Sequence, residues 1–225
     1  MMRNRFPPRP AISRRILIGT ALATLLPGAA SVAKAPLPRL LVFGDSLTAG
    51  FGLPESEGLV PVLSHWLARH DRPATLLNAG LSGDTTYGGR VRIGWALRQG
   101  ADAVIVQLGG NDIFSRIPVP RAEANLDAIL SRAGRNGRPV LLVGIRTPPD
   151  HPARAEWAAL WPRLAQRHDC LLMADLYGSF GAANARNRAR FLQPDGAHPS
   201  PEGVRRFTED LGPRVVQLLD MLRPG

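Results

Sequence analysis

Cysteine is almost missing from this 225-residue chain, in which Cys170 stands alone. A single thiol excludes an intramolecular disulfide and any zinc cage built on thiolates. Within the apolar run CLLMA, Cys170 reads as core. Long hydrophobic runs are missing too: the stretch ILIGTALATLL has eleven residues, too few to span a bilayer as a helix. No basic stripe interleaved with aromatics occurs, so nucleic-acid binding is not expected. Beyond residue 36 there is no internal repeat or low-complexity tract.

Acids are scarce in one place only. The formal net charge is +10, yet residues 1–35 hold Arg3, Arg5, Arg9, Arg14, Arg15 and Lys34 and no acid. Without them 22 bases face 18 acids, a net charge of +4, which is an ordinary solvated surface. That first segment runs from the basic MMRNRFPPRPAISRR through the apolar stretch to the small-residue PGAASVAKA, the three regions of a secretory signal peptide in order. Cleavage after Ala35 would leave Pro36 first, which signal peptidase tolerates poorly, so cuts after Ala30, Ser31 or Ala33 compete with it. Ser13-Arg14-Arg15-Ile16-Leu17-Ile18 also resembles a twin-arginine signal, which leaves both export routes open. An uncleaved N-terminal anchor is the rival reading, whereas the lack of a following cysteine excludes a lipoprotein. The expectation is a signal peptide over 1–35, one domain over 36–225, and a periplasmic or secreted monomer without a stable membrane anchor after cleavage.

From residue 39 short apolar runs alternate with longer helical patterns, as in βαβ units around a parallel sheet. Five strands are expected, at 39–43, 74–78, 103–108, 139–145 and 170–174. Helical spacing covers 57–69, 86–99, 121–136, 152–167 and 201–222. Right-handed crossovers turn this series into an α/β fold, a three-layer α/β/α sandwich. The stretches RTPPDHPAR and LYGSFGAANARNR read as surface loops.

Ligands of such open sheets bind beyond the carboxyl ends of the strands. Three polar, glycine-rich clusters fall there: Gly44-Asp45-Ser46-Leu47-Thr48-Ala49-Gly50, then Asn78-Ala79-Gly80-Leu81-Ser82-Gly83-Asp84, then Gly109-Gly110-Asn111-Asp112. Near the last helix stands Asp195-Gly196-Ala197-His198-Pro199. A serine hydroxyl is a weak nucleophile until a base takes its proton, and the base needs an acid partner to fix its tautomer. Ser46 supplies the first group. Asp195 and His198, three residues apart, supply the carboxylate on Nδ1 and leave Nε2 to face Ser46. The oxyanion of an attacked carbonyl needs fixed donors, and the backbone amides of Ser46 and Gly83 with the side-chain amide of Asn111 provide three. Glycine at 83 allows close backbone approach, and Gly109 and Gly110 let Asn111 turn inward. Taken singly each has a bland reading: Ser46 as the cap of a helix starting near Leu47, Asn111 with Asp112 as turn residues, His198 as a structural histidine. His65, His70, His151 and His168 lack a comparable setting.

The blocks GDSLTAG, NAGLSGDTT, VIVQLGGND and DGAHP resemble those of the GDSL (SGNH) hydrolases. Ser46, Gly83, Asn111 and His198 fill the four signature places in order, Asp195 fills the acid place, and the resemblance runs from about Leu40 to Leu222. Within the family it is closest to small bacterial periplasmic arylesterases and the acyl-CoA thioesterase and lysophospholipase type. The resemblance implies a flavodoxin-like five-stranded parallel sheet in the order 2-1-3-4-5 and a shallow site for varied acyl esters and thioesters. It implies that Asp45 supports the nucleophile turn and that Ile113–Pro120 borders the pocket. The expected activity is hydrolysis of small carboxylic esters, with acyl thioesters and lysophospholipids as further substrates, through an acyl-enzyme on Ser46. No metal or organic cofactor is expected. An acetylesterase acting on cell-wall or polysaccharide acetyl groups is the alternative, and a non-catalytic nucleotide-binding sandwich is the reading from another class.

Overall fold

Leu40, Leu41, Val42 and Phe43 form an unbroken apolar run, and a strand written that way is buried on both faces. In the computed structural model, which describes residues 36–181 and 189–222, the run is the centre of β1 (Arg39–Gly44), buried from Leu40 onward. β3 (Ala103–Gln107) and β4 (Val140–Val143) are buried along their whole length. β2 (Thr75–Gly80) and β5 (Leu171–Met173) are mostly half-buried because they are the edges. All neighbours pair in parallel, in the order β2-β1-β3-β4-β5. The expected five strands and their order are both borne out.

The register sets the site. Gly44 lies opposite Gly80 on one side and Gln107 on the other, so the first three strands end level. The chain segments carrying Ser46, Gly83 and Asn111 therefore leave the sheet side by side.

Seven helices of the described residues surround the sheet: α1 (Ser46–Ala49), α2 (Leu59–Arg69), α3 (Thr86–Ala96), α4 (Gly110–Phe114), α5 (Val119–Ala133), α6 (Arg154–Arg167) and α7 (Pro201–Asp220). α2 packs on α7, while α3, α5 and α6 pack in series, giving the two outer layers of the sandwich. Between α2 and α7, Trp66 Nε1 donates to Glu209 Oε2 at 3.1 Å, and at the end of α2 the His70 ring stacks on Trp66 at 3.7 Å. Ser200 caps α7 by accepting from the Gly203 N–H, ahead of Pro201 in the first turn.

Some boundaries move. α5 begins two residues before the expected start, at Val119 behind Pro118, and Gly134 ends it, with Asn136 beyond at a φ of 63°. α3 passes into a 3-10 turn at Leu97–Gln99. Cys170 is only partly buried against the core, enough for burial to push its thiol up to about 11. No described helix is long and apolar enough to cross a membrane. The described residues belong to the unit Pro36–Gly225, and the expected signal peptide lies outside them.

Candidate active site

β1 ends at Gly44, and the next residue starts a helix. Asp45 Oδ1 accepts from the Leu47 N–H at 3.0 Å and caps α1, so Asp45 rather than Ser46 is the cap. Ser46 is instead the first helical residue. Gln107 at the end of β3 fixes the turn from below, with Nε2 donating to Asp45 Oδ1 at 3.1 Å and Oε1 accepting from Thr48 Oγ1 at 2.9 Å. Burial pushes the Asp45 carboxyl up to about 6, against the Leu47 and Gln107 hydrogen bonds that lower it.

The Asp195 carboxylate is used at both oxygens. Oδ1 accepts from the Ala197 and His198 N–H groups at 2.9 and 3.0 Å, and Oδ2 meets His198 Nδ1 at 2.6 Å. The Ala197 N–H first, then the His198 ring, hold this carboxyl down at about 2. On the far side of the ring, His198 Nε2 lies 2.8 Å from Ser46 Oγ. The three side chains named from the sequence thus form one hydrogen-bonded line.

Two residues that no local sequence signal marks secure that line. Gln193 Nε2 donates to the carbonyls of Phe51 and Pro199 at 2.8 and 3.0 Å, joining the segment after α1 to the His198 segment. Tyr177 Oη donates to the Ala197 carbonyl at 2.7 Å, and burial drives its phenol well above the usual range. The Phe51 ring covers His198, with centroids 4.6 Å apart.

Gly83 adopts a φ of 79° and a Cβ there would meet open space, so glycine is required by the backbone conformation rather than by crowding. Among the described residues its N–H meets no acceptor. Gly109, at a φ of 123°, opens α4 so that Asn111 lies in its first turn. Asn111 Nδ2 donates to the Asp84 carbonyl at 2.8 Å, which leaves its second N–H for another acceptor. Asp112, buried, accepts from Thr86 N–H at 2.8 Å and Thr86 Oγ1 at 2.6 Å, tying α4 to the start of α3. Arg92 reaches back from α3: Nε to Asp84 Oδ2 at 2.7 Å, Nη1 to the Ala79 carbonyl and Nη2 to the Gly44 carbonyl, both at 2.8 Å.

Ser46, Asn111 and His198 line a cavity of about 580 Å³. Leu47, Phe114, Ile145, Pro148, Tyr177, Phe180 and Leu192 supply most of its apolar wall. Phe114 lies within the expected bordering segment. The stretches read as surface loops differ from expectation, since Arg146–Pro149, Tyr177 and Phe180 face the cavity. The other histidines are engaged or exposed: His151 between the Ile113 carbonyl and the Ala153 N–H, His168 on Asp127, His70 on the Trp66 carbonyl, and His65 in solvent. Among the described residues no three His, Cys, Asp or Glu side chains cluster to hold a metal ion.

A model of the GDSL-like lipase/acylhydrolase family matches residues 42–206. The chain belongs to this family. The matched span takes in Ser46, Gly83, Asn111, Asp195 and His198. The arylesterase of Vibrio mimicus is 30% identical over 192 residues, 84% of this chain and 94% of the relative. Esterase TesA of Pseudomonas aeruginosa is 30% identical over 209 residues, 92% of this chain and 100% of the relative. A crystal structure of TesA, 31% identical, superposes with a TM-score of 0.73 over 80% of this chain and 99% of that one. Thioesterase 1/protease 1/lysophospholipase L1 of Escherichia coli (strain K12) is 30% identical over 165 residues, 72% of this chain and 75% of the relative.

Proposed function

We propose that the chain is a serine esterase that hydrolyses carboxylic esters through an acyl-enzyme on Ser46. The observation that carries this reading is the line Ser46 Oγ, His198 Nε2, His198 Nδ1, Asp195 Oδ2, with separations of 2.8 and 2.6 Å, at the wall of an apolar cavity. His198 takes the Ser46 proton as Oγ attacks the ester carbonyl, and the C–O or C–S bond breaks as His198 returns that proton to the leaving alcohol or thiol. Water then repeats the sequence and frees the acid. The Ser46 and Gly83 N–H groups and Asn111 Nδ2 hold the oxyanion in both halves. Each such donor is worth about 3–4 kcal/mol of barrier.

A cavity of about 580 Å³ suits an acyl chain, and an acetyl group would occupy little of it. That favours aryl and alkyl esters, acyl thioesters and lysophospholipids, as the names of the relatives suggest, over acetylated polysaccharide. The test is a chain-length series of p-nitrophenyl esters beside acyl-CoA, lysophosphatidylcholine and acetylated xylan. Activity rising beyond acetate supports the reading, and activity confined to acetate and acetylated sugar overturns it. Export through residues 1–35 to the periplasm or medium, as a monomer, completes the proposal. N-terminal sequencing and sedimentation of the exported protein test both parts.

A further inference from the structure

A helix packed on a sheet normally turns a polar face to solvent; α3 does not. Its inward residues Gly89, Ile93 and Ala96 are buried, yet Tyr87, Val91 and Trp95 on the outer side are 62–68% exposed. Spaced by four residues, these three form one stripe about 12 Å long. Arg90 and Arg98 flank it, both exposed, and no acid occurs between Thr85 and Gly100. The nearest acids in sequence are occupied, Asp84 by Arg92 and Asp102 by the Arg39 N–H.

We propose that this face of α3 docks on an anionic lipid surface. Tyr and Trp are the aromatic residues suited to a boundary that is apolar on one side and wet on the other, and arginines beside them attract anionic headgroups. Charge complementarity selects this occupant over the alternatives. A second copy of α3 packed on a two-fold axis would gather four arginines in one interface with no acid on either face. Residues 1–35 carry six bases and no acid, so they repel the same face. The stripe starts beside the active site: Tyr87 follows Thr86, which is bonded to Asp112, and Leu81 and Phe114, both exposed, flank the Gly83 and Asn111 segments. Docking there sets the cavity close to esters held in a lipid layer.

Trp95 is the natural reporter, since Trp66, Trp157 and Trp161 are buried. The experiment follows acrylamide quenching of the full chain as vesicles of phosphatidylglycerol and phosphatidylcholine are added, with pure phosphatidylcholine vesicles alongside. The exposed tryptophan should become shielded and blue-shifted on the anionic vesicles and not on the neutral ones. Arg98→Glu, or Tyr87→Ser with Val91→Ser, should raise the vesicle concentration for half-shielding at least about tenfold. Neither change should alter turnover of p-nitrophenyl acetate. Residues 1–35 are common to every variant, so shielding that arises from vesicle binding through them would be unchanged by these substitutions, and that result too overturns the proposal. The proposal is overturned if Trp95 stays open to quencher on vesicle-bound protein, if neutral vesicles shield it equally, or if shielding appears only with chain self-association. Docking is read without turnover, so its failure and failure of the esterase reading are distinguishable.

Discussion

Replacing Arg92 by Met should damage the site from a distance, and the two parts of the damage can be separated. The guanidinium binds Asp84 and the carbonyls of Gly44 and Ala79 and lies 4.0 Å from the centre of the Phe43 ring. Met keeps an unbranched stem of similar reach and removes all three hydrogen bonds together with the guanidinium over the Phe43 ring. It leaves the Asp84 carboxylate, 5% exposed, without its counter-charge. Breaking a buried pair in this way costs about 3–5 kcal/mol. At about 2–4 °C per kcal/mol for a domain of this size, Tm should drop by roughly 6–20 °C. The catalytic part follows from what Arg92 holds. Gly44 lies two residues before Ser46, Asp84 follows Gly83, and the Asp84 carbonyl receives Asn111. A displacement of about 1 Å among these donors costs on the order of 10²-fold in kcat. Adding Asp84→Asn removes the stranded charge, so the double variant should regain much of the Tm while kcat stays low, because the two strand-end carbonyls remain untied. Calorimetry and p-nitrophenyl ester kinetics read the two quantities. A single variant that loses less than about 1 kcal/mol refutes the buried-pair reasoning, and kcat recovering together with Tm refutes the positioning role.

Three further changes separate the proposed roles. Asn111→Ala should lower kcat by about 10²–10³-fold with little change in KM, as expected for a donor used mainly in the transition state. In Asp195→Asn the oxygen must keep the Oδ1 place that accepts two backbone N–H groups, which turns the amide NH₂ toward His198 Nδ1. The imidazole then takes the wrong tautomer and kcat should fall by about 10⁴-fold; a loss below about tenfold would remove Asp195 from the site. Asp45, raised to about 6 by burial, holds its proton in the folded state more firmly than in the unfolded one. Its contribution is therefore fullest below about 4, declines as pH rises to about 6, and is flat above. Asp45→Asn abolishes the decline, so denaturant titrations should show the variant gaining on the parent between pH 4 and 6, by about 1–3 kcal/mol in all. A pH-independent difference contradicts the assignment.

Strand positions and the residues of the Ser46, His198 and Asp195 line were legible in the chain, because apolar runs of five to seven residues and clusters at their carboxyl ends are local features, whereas the strand order was legible only through the family resemblance. What escaped was either too short or too distant to leave a local trace. α1 and α4 span four and five residues, below the length at which helical periodicity can register, and they carry Ser46 and Asn111. Arg92, Gln107, Gln193 and Tyr177 look ordinary in sequence because their partners lie on other elements; Gln107 and Asp45, for instance, are 62 residues apart. The cavity wall formed by Arg146–Pro149 and Phe180 was hidden by proline and glycine, which signal a turn without saying which side of it faces the core.

An acyl-enzyme on Ser46 requires a hydroxyl activated for attack, which intact-protein and peptide mass spectrometry after treatment with diethyl p-nitrophenyl phosphate reads at the atom concerned. The expected result is one diethylphosphoryl group per chain, on the peptide containing Ser46, accumulating in step with loss of ester hydrolysis and absent from Ser46→Ala. Modification at another residue, or a Ser46→Ala protein that keeps full turnover, would contradict it.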